Sequence, residues 1–327
     1  MKALVCRTWG PPETLALEDR SDPVAGPGQA VVRVHAAGVN FPDALIIQNK
    51  YQVTPELPLV PGSECAGVVE SVGEGVQRVK PGDRVIALTG SGAFAEKVMA
   101  PAEALTALPA DVDFVTGSAF LLAYGTAYHA LTGRAALQQG ETLLVLGAAG
   151  GVGLAAIEIG KALGARVIAG ASSPEKRNLC REHGADEVID YAAAELKPAL
   201  AALTSGKGVD VVFDPVGGPS TEAALRSCAW RGRHLVIGFA NGEIPRLPAN
   251  LTLLKGCSLI GVFWGRYVRT EPAAWASDLQ TLFKWLREGR LRPHVAERYP
   301  LDRGAEALAA LLARKALGKL VITPVAP

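Results

Sequence analysis

The sequence predicts an α/β protein with a doubly wound, parallel sheet of six strands and a second, β-rich domain. Two observations carry this prediction. An apolar run ends in a cluster of glycines that opens a helical segment, and strands and helices then alternate from about residue 123 to 262. The first 122 residues differ, because they contain short alternating segments separated by glycine and proline.

The glycine cluster has the form of a dinucleotide-binding turn. Residues 143–146 have the composition of a strand covered on both faces, and glycines follow at once. Glycine lets backbone amides approach a pyrophosphate, and the N-terminus of the next helix offers free N–H groups. The predicted cofactor-binding residues of this turn are Ala149, Gly150, Gly151, Val152 and Gly153.

Alanine occupies the first position of the usual G-x-G-x-x-G motif, so the motif alone is weak. Residues 166–169 supply a second strand after the helix, however, and complete a βαβ unit around the turn. A strand–helix turn that binds no ligand is the alternative, and this context makes it the less favoured one.

The residues after the second strand favour NADPH over NADH. An NAD site places a carboxylate about 20 residues beyond the glycines, to bind the ribose 2′-hydroxyl. The segment 169–173 contains no carboxylate. Ser172 and Ser173 can donate hydrogen bonds to a 2′-phosphate, and Lys176 can reach it as a point charge. The same residues fit a helix N-cap, which is compatible with phosphate binding.

The remaining elements divide the chain into three segments. Further strands are predicted near 187–189, 209–213, 234–237 and 258–263. The tail contains helices near 275–288 and 305–316 and a strand-like segment, Lys319–Thr323, that could return to the first domain. We therefore expect a β-rich domain over 1–122, a dinucleotide-binding domain over 123–262, and a return to the first domain over 263–327.

Composition excludes several classes of function. Lys and Arg number 33 against 32 for Asp and Glu, so no basic excess points to nucleic acid or to a membrane surface. The apolar runs are shorter than a bilayer span, and the N-terminus lacks the form of a signal peptide. The five cysteines are scattered without a C-x-x-C pair, which favours free thiols in a reducing compartment. We expect a cytoplasmic protein.

Several motifs in combination resemble one family along essentially the whole chain. They are GVNFPD at 38–43, PGSECAGVV at 61–69, KPGDRV at 80–85, GTAY at 125–128, FDPVGG at 213–218 and LGKLV at 317–321. With the glycine turn, they resemble the zinc-free medium-chain dehydrogenases/reductases of the NADPH:quinone oxidoreductase (zeta-crystallin-like) family. This resemblance implies a GroES-like catalytic domain built from both chain ends, with a Rossmann domain inserted between them.

The residues that would bind catalytic zinc in related dehydrogenases are replaced. Those relatives have a cysteine in the segment matching 38–43 and a histidine where this chain has Ser63. Their four-cysteine lobe is absent as well, and the five histidines here are widely spaced. We predict no metal.

Without a metal to polarise a carbonyl, the acceptor of the hydride must already be electrophilic. Tyr51 is our candidate proton donor, with Asn40 and Asp43 as polar groups near the nicotinamide, because the resemblance implies that these segments face the cleft. For Tyr51 the alternative is a packing aromatic with its hydroxyl in water, and Asp43 could simply hold a loop.

The resemblance also implies further contacts with the cofactor and the acceptor. The additional residues near the cofactor are Thr126, Tyr191, Gly238, Phe239, Asn250, Phe263, Trp264 and Lys319. The substrate side would be lined by Phe41, Tyr51 and Trp264. Most of these residues follow the carboxyl ends of strands, where ligands bind such sheets. For the aromatic ones, packing between domains is the alternative.

We expect an NADPH-dependent reductase that transfers hydride to a quinone or a similar conjugated carbonyl acceptor. An enal, enone or enoyl-thioester reductase on the same scaffold is the alternative, and a non-enzymatic NADPH-binding protein is a third. The apolar segment 258–263 at one edge of the predicted sheet favours a homodimer through that edge.

Overall fold

The computed structural model describes residues 1–191 and 195–324. The chain divides into two compact units. The first comprises Met1–Leu122 together with His294–Pro327, and the second comprises Ala123–Pro293.

The strands range in length from 3 to 11 residues. In chain order they are β1 Lys2–Val5, β2 Ala16–Asp19, β3 Gln29–Val39, β4 Glu64–Val72, β5 Arg84–Leu88, β6 Lys97–Pro101, β7 Leu105–Ala107, β8 Thr142–Val145, β9 Arg166–Gly170, β10 Glu187–Ile189, β11 Val209–Asp214, β12 Cys228–Val236, β13 Ser258–Gly261, β14 Val295–Pro300 and β15 Lys319–Thr323.

Most helices belong to the second unit. They are α1 Phe41–Ile46, α2 Phe114–Ser118, α3 Leu121–Tyr128, α4 Gly151–Ala162, α5 Pro174–Glu182, α6 Leu196–Leu203, α7 Pro219–Arg226, α8 Asn250–Lys255, α9 Trp264–Thr270, α10 Pro272–Arg287 and α11 Gly304–Leu312. A π-helical segment, His129–Arg134, continues α3. Among the described residues, no helix combines the length and the apolar character needed to cross a membrane.

The first unit is built on a sheet with the strand order β14-β15-β3-β4-β5-β7, and β6 also pairs with β3. The C-terminal strand β15 runs antiparallel to β3, with Leu320 opposite Val39. The segment Lys319–Thr323 thus pairs with a strand of the N-terminal part of the chain. This pairing brings the two ends of the chain into one hydrophobic core, which includes Val34, Leu308 and Ile322.

The second unit contains the predicted doubly wound sheet. Its six strands are parallel and follow the order β10-β9-β8-β11-β12-β13. The chain reverses its direction of travel across the sheet between β8 and β11, which are adjacent. Ligands of such sheets bind at the carboxyl ends of the strands beside this switch point. The fold class predicted from the sequence is confirmed.

The chain returns from the second unit to the first after residue 293, whereas the sequence predicted this boundary at 262. Aromatic side chains of the segment in question pack inside the second unit, which explains the difference. Trp264 contacts Trp275 edge to face at 5.3 Å between ring centroids, and Tyr267 stacks on His129 at 3.9 Å. The helices α9 and α10 thus belong to the dinucleotide-type domain. Strand and turn patterns in the sequence do not reveal the aromatic contacts that place them there.

Candidate active site

The glycine turn joins β8 to α4 by direct backbone contact. Gly147 has a positive φ of 56°, and its carbonyl accepts a hydrogen bond from the N–H of Gly150 at 3.1 Å. A Cβ on Gly153 would lie 2.6 Å from the oxygen of Gly147 and 2.7 Å from the Cα of Ala148. Only glycine fits there, so the helix starts immediately against the strand end. The first-turn N–H groups of Gly151, Val152 and Gly153 have no intrahelical acceptors.

The end of β9 borders this turn. The Ala148 N–H donates to the Gly170 carbonyl at 3.0 Å. Tyr191 lies over the same glycine, with its Cδ1 3.0 Å from the position of a Cβ there, and it also packs on the hydrophobic core of the second unit. Tyr191 therefore lies beside the strand end that borders the glycine turn, and its role near the adenosine phosphate of a cofactor stays a prediction.

The segment after β9 forms the predicted helix cap. Ser173 is the N-cap of α5, and its Oγ accepts a hydrogen bond from the Lys176 N–H at 3.3 Å. Ser172 is exposed and Lys176 is half-buried. Arg177 is fixed beside them by an ion pair with Asp190 at 2.7 Å. Two hydroxyl groups thus follow the carboxyl end of β9, together with Lys176 and with Arg177, whose charge is offset by Asp190.

Gly238 and Phe239 follow β12 at the same edge of the sheet. Phe239 lies against Gly217 in the loop after β11, with its Cδ1 2.8 Å from the position of a Cβ on Gly217. Since β8, β11 and β12 are neighbours, these residues share one edge with the glycine turn. This edge can hold the pyrophosphate and nicotinamide halves of a dinucleotide.

Thr126 and Trp264 form a second group within this unit. The indole of Trp264 lies on Gly125, with Cζ2 2.6 Å from the position of a Cβ, next to the half-buried Thr126. The Trp264 Nε1–H is buried and has no hydrogen-bond partner among the described residues. Phe263 is 48% exposed, and Asn250 is an exposed residue at the start of α8.

A buried polar cluster occupies the first unit. Asn40 is the N-cap of α1, and its backbone N–H donates to Asp43 Oδ2 at 2.8 Å. Its side-chain amide donates to the Gly38 carbonyl at 3.1 Å and to Glu64 Oε2 at 3.3 Å. Lys319 Nζ donates to Asn40 Oδ1 at 2.5 Å. The predicted residues Asn40 and Asp43 are therefore held together at the start of α1.

Lys319 points into this cluster. Besides Asn40, its ammonium contacts the Val39 carbonyl at 3.2 Å and Glu64 Oε2 at 3.7 Å. Lys319 is 5% exposed and Glu64 is fully buried. The role of Lys319 in cofactor binding stays a prediction. Sequence analysis missed Glu64 as a partner, although a lone acid opening an apolar strand was a usable signal.

The charges of the cluster are unequally balanced, since one lysine faces two carboxyl groups. Burial raises the pKa of Asp43 from 3.8 to about 6, although Ser63, the Asn40 N–H and Lys319 lower it. Burial also raises the pKa of Glu64 and lowers that of Lys319, while their mutual attraction opposes both shifts. Glu64 has the ion pair and the Leu122 N–H at 2.9 Å. Asp43 can therefore take up a proton at a pH well above the ordinary range of an aspartate.

Ser63 lies beside the Asp43 carboxyl group. Neither Ser63 Oγ nor Asp43 Oδ1 makes a hydrogen bond of ordinary geometry with a described residue, and both atoms are buried. Phe41 begins α1, and Tyr51 follows that helix half-buried against the core of the first unit. The structure thus groups the predicted catalytic residues around one short helix.

The cluster does not have the donors of a zinc site. No group of three or more His, Cys, Asp and Glu side chains that could hold a metal ion occurs within residues 1–191 and 195–324. Asp43 and Glu64 are the two carboxylates available, and the Lys319 ammonium already lies against one of them. A catalytic zinc site needs three protein ligands, with histidine or cysteine prominent among them.

Two family models match this chain. One describes an alcohol dehydrogenase GroES-like domain and matches residues 26–110. The other describes a zinc-binding dehydrogenase and matches residues 151–284. The matches fall on the two units found in the structure.

Similar proteins match the chain almost from end to end. The quinone oxidoreductase-like protein 2 homolog of Nematostella vectensis is 39% identical over 98% of this chain and 88% of its own length. The quinone oxidoreductase of Pseudomonas aeruginosa is 37% identical over 99% of both chains. The crystal structure of the Escherichia coli quinone oxidoreductase complexed with NADPH superposes with a TM-score of 0.93 at 28% identity, over 99% of this chain and 100% of the other. This chain therefore belongs to the quinone oxidoreductase family of medium-chain dehydrogenases/reductases.

Proposed function

We propose that the protein is an NADPH-dependent reductase that transfers hydride to a quinone or a similar conjugated carbonyl acceptor. The observation that carries the proposal is the backbone contact at Gly153, which leaves the first-turn N–H groups of α4 open to an anion. Membership of the quinone oxidoreductase family, and the relative that was crystallised with NADPH, support the same assignment.

The residues after β9 support the choice of NADPH. When bound, the cofactor supplies the hydride. Ser172, Ser173, Lys176 and Arg177 would hold its 2′-phosphate, while the turn 149–153 would hold its pyrophosphate. Thr126, Gly238 and Phe239 would orient the nicotinamide half.

We propose that the reaction uses no metal. The Lys319 ammonium already neutralises the carboxylate of Glu64, and the Asn40 amide is saturated by Gly38, Glu64 and Lys319. An acceptor that is already electrophilic needs no Lewis acid for hydride addition. Quinones and alkenes conjugated to a carbonyl have this property.

Two-electron reduction of a quinone also consumes a proton. Tyr51 is our candidate donor, since it follows α1 and carries a hydroxyl group on the half-buried edge of the first unit. Asp43 is a second candidate for proton exchange, because burial raises its pKa from 3.8 to about 6. Asn40 acts by holding the start of α1 in place.

We also propose a homodimer formed through the edge strand β13. This strand ends the sheet, and Leu259 on it is 45% exposed. The neighbouring apolar side chains of Trp230, Leu253 and Leu254 are 74%, 80% and 69% exposed. A second copy would pair with the open strand edge and cover these side chains. A cytoplasmic location completes the proposal, and the five free, buried thiols suit a reducing compartment.

The cofactor assignment predicts a large preference for NADPH over NADH in a binding titration. Lys176→Ala should raise the Kd for NADPH by about tenfold and leave the Kd for NADH unchanged, because only the 2′-phosphate contact is lost. Lys207→Ala, at an exposed lysine of the same unit, is the matched control. Equal affinity of the wild type for both cofactors would refute the 2′-phosphate argument.

The acceptor assignment predicts that NADPH oxidation is fastest with quinones. The assay compares ortho-quinones, para-quinones, enals and enoyl-thioesters at matched concentrations and records kcat/KM for each. A preference for enoyl-thioesters would favour the alternative activity. Tight NADPH binding without turnover of any acceptor would favour a non-enzymatic role.

The burial of Asp43 predicts a pH-dependent effect of Asp43→Asn on stability. Because the folded-state pKa is raised from 3.8 to about 6, the contribution of Asp43 to stability is full below the lower value and is lost as pH rises through the upper one. Asparagine keeps an acceptor for the Asn40 N–H and cannot ionise. The variant should therefore gain up to about 3 kcal/mol relative to wild type between pH ~4 and pH ~7.

Urea unfolding at several pH values measures this change, and Asp111→Asn, at an exposed carboxylate, is the control. A stability difference between Asp43→Asn and wild type that stays constant across this range would contradict the assignment of the proton to Asp43.

The dimer proposal predicts that Leu259→Lys yields a monomer in sedimentation velocity experiments, because a charge at the strand edge prevents pairing. Leu17→Lys replaces a comparably exposed leucine, 38% exposed, in the first unit and should leave the dimer intact. A wild-type protein that sediments as a monomer would refute this part of the proposal.

A further inference from the structure

We propose that Asp214 and His234 form a positioning pair that fixes the loop 215–218 beside the glycine turn and thereby sets the affinity for the dinucleotide. The inference rests on the proposed use of NADPH and adds two residues that would not touch the cofactor themselves. The Asp214 carboxylate holds the loop by hydrogen bonds, and the loop lies against the glycine turn.

Asp214 is the last residue of β11 and is 2% exposed. Its Oδ1 accepts hydrogen bonds from the backbone N–H groups of Val216 and Gly217, both at 2.9 Å. Its Oδ2 accepts from Thr221 Oγ1 at 2.7 Å and faces His234 Nε2 at 3.2 Å. One carboxylate therefore ties the loop, the helix α7 and the neighbouring strand β12 together.

The carboxylate is charged in this environment. Burial alone would raise the pKa of Asp214, but the hydrogen bonds from His234, Gly217 and Thr221 outweigh it, so the pKa lies below its ordinary value. Hydrogen bonds to an ionised acceptor are roughly twice as strong as neutral ones. The loop is therefore held firmly at its first residues.

His234 supplies a donor from inside the sheet. It is fully buried on β12, and its Nδ1 has no hydrogen-bond partner in the part of the chain that the structure describes. A proton on Nε2 satisfies this geometry, because the ring then donates a hydrogen bond to Asp214. A leucine at this strand position would fill the space and lose the donor.

The loop that the pair holds braces the glycine turn. Val216 Cγ2 lies 2.8 Å from the position of a Cβ on Gly147, and Pro215 Cγ lies 3.7 Å from it. On its other side the loop accepts backbone hydrogen bonds from the segment after β12, since the Val216 carbonyl accepts from the Asn241 N–H at 2.8 Å. Displacing the loop would thus disturb both the turn and the segment that contains Gly238 and Phe239.

A second buried histidine–carboxylate pair in the same unit provides a control. His183 Nδ1 lies 2.6 Å from Glu158 Oε1, and both side chains are buried. Glu158 also accepts hydrogen bonds from the Tyr124 hydroxyl and the Arg292 N–H, both at 2.8 Å. This pair joins α4 to the residue after α5, and the other hydrogen bonds of Glu158 reach α3 and the segment after α10. None of them involves the loop 215–218, so loss of the pair should cost stability without changing cofactor affinity.

The test compares His234→Leu with His183→Leu in the full-length protein. NADPH affinity is measured by titration and stability by urea unfolding. We expect both variants to be destabilised, with the Kd for NADPH raised about tenfold in His234→Leu and unchanged in His183→Leu. His234→Gln keeps an N–H near the position of Nε2 and should recover most of the affinity.

Two further measurements keep the inference testable if His234→Leu does not fold. Thr221→Val removes another donor to Asp214 Oδ2 without altering the strand and should raise the Kd about threefold. Hydrogen exchange without cofactor should be faster at the Val216 and Gly217 amides in this variant.

An unchanged Kd in both His234→Leu and Thr221→Val, or an equal rise in His234→Leu and His183→Leu, would overturn the inference while leaving the proposed cofactor intact. A wild-type protein that does not bind NADPH would instead refute the proposed function and this inference with it.

Discussion

The close approach of α4 to the end of β8 is the constraint on which the second unit depends. Gly153 rests on the backbone of Gly147 and Ala148, so the first helical turn begins where the central strand stops. Any side chain at that position would push the helix away and move its free N–H groups from the sheet edge. The strands that follow are arranged around this contact, since β9 joins the turn through the Ala148–Gly170 hydrogen bond and β11 joins it through Val216.

In the buried cluster of the first unit, the constraint is the balance between positive and negative charges. Two carboxyl groups and one ammonium cannot all be charged in an apolar interior without leaving one charge uncompensated. Glu64 has an ion pair with Lys319 and two hydrogen bonds, while burial raises the pKa of Asp43 to about 6. Burial thereby creates a group at the start of α1 that can take up a proton above the ordinary pH range of an aspartate, and the nearby charge of Glu64 adds to this effect.

The sequence was sufficient for the architecture and for much of the cofactor edge. Periodicity and glycine placement predicted the strands of the parallel sheet, the turn 149–153 and the cap at Ser173, because each of these depends on residues close together in the chain. The Lys319–Asn40 contact and the packing of Trp264 on Gly125 were not predictable, since they join residues 279 and 139 positions apart. The second unit extends to residue 293 for the same reason: aromatic contacts across long separations decide it.

In both units, a buried carboxylate accepts hydrogen bonds from backbone N–H groups and so fixes the course of the chain. Asp214 accepts the N–H groups of the loop that follows it, and Glu64 accepts the N–H of Leu122 from 58 residues away. A buried N–H that lacks an acceptor costs about 1–3 kcal/mol, so each of these acids stabilises one particular course of the backbone. Acids at strand ends therefore fix the geometry of loops through contacts that a sequence pattern cannot reveal. Of these acids, Asp214 is also held in place by a side chain of the adjacent strand, His234.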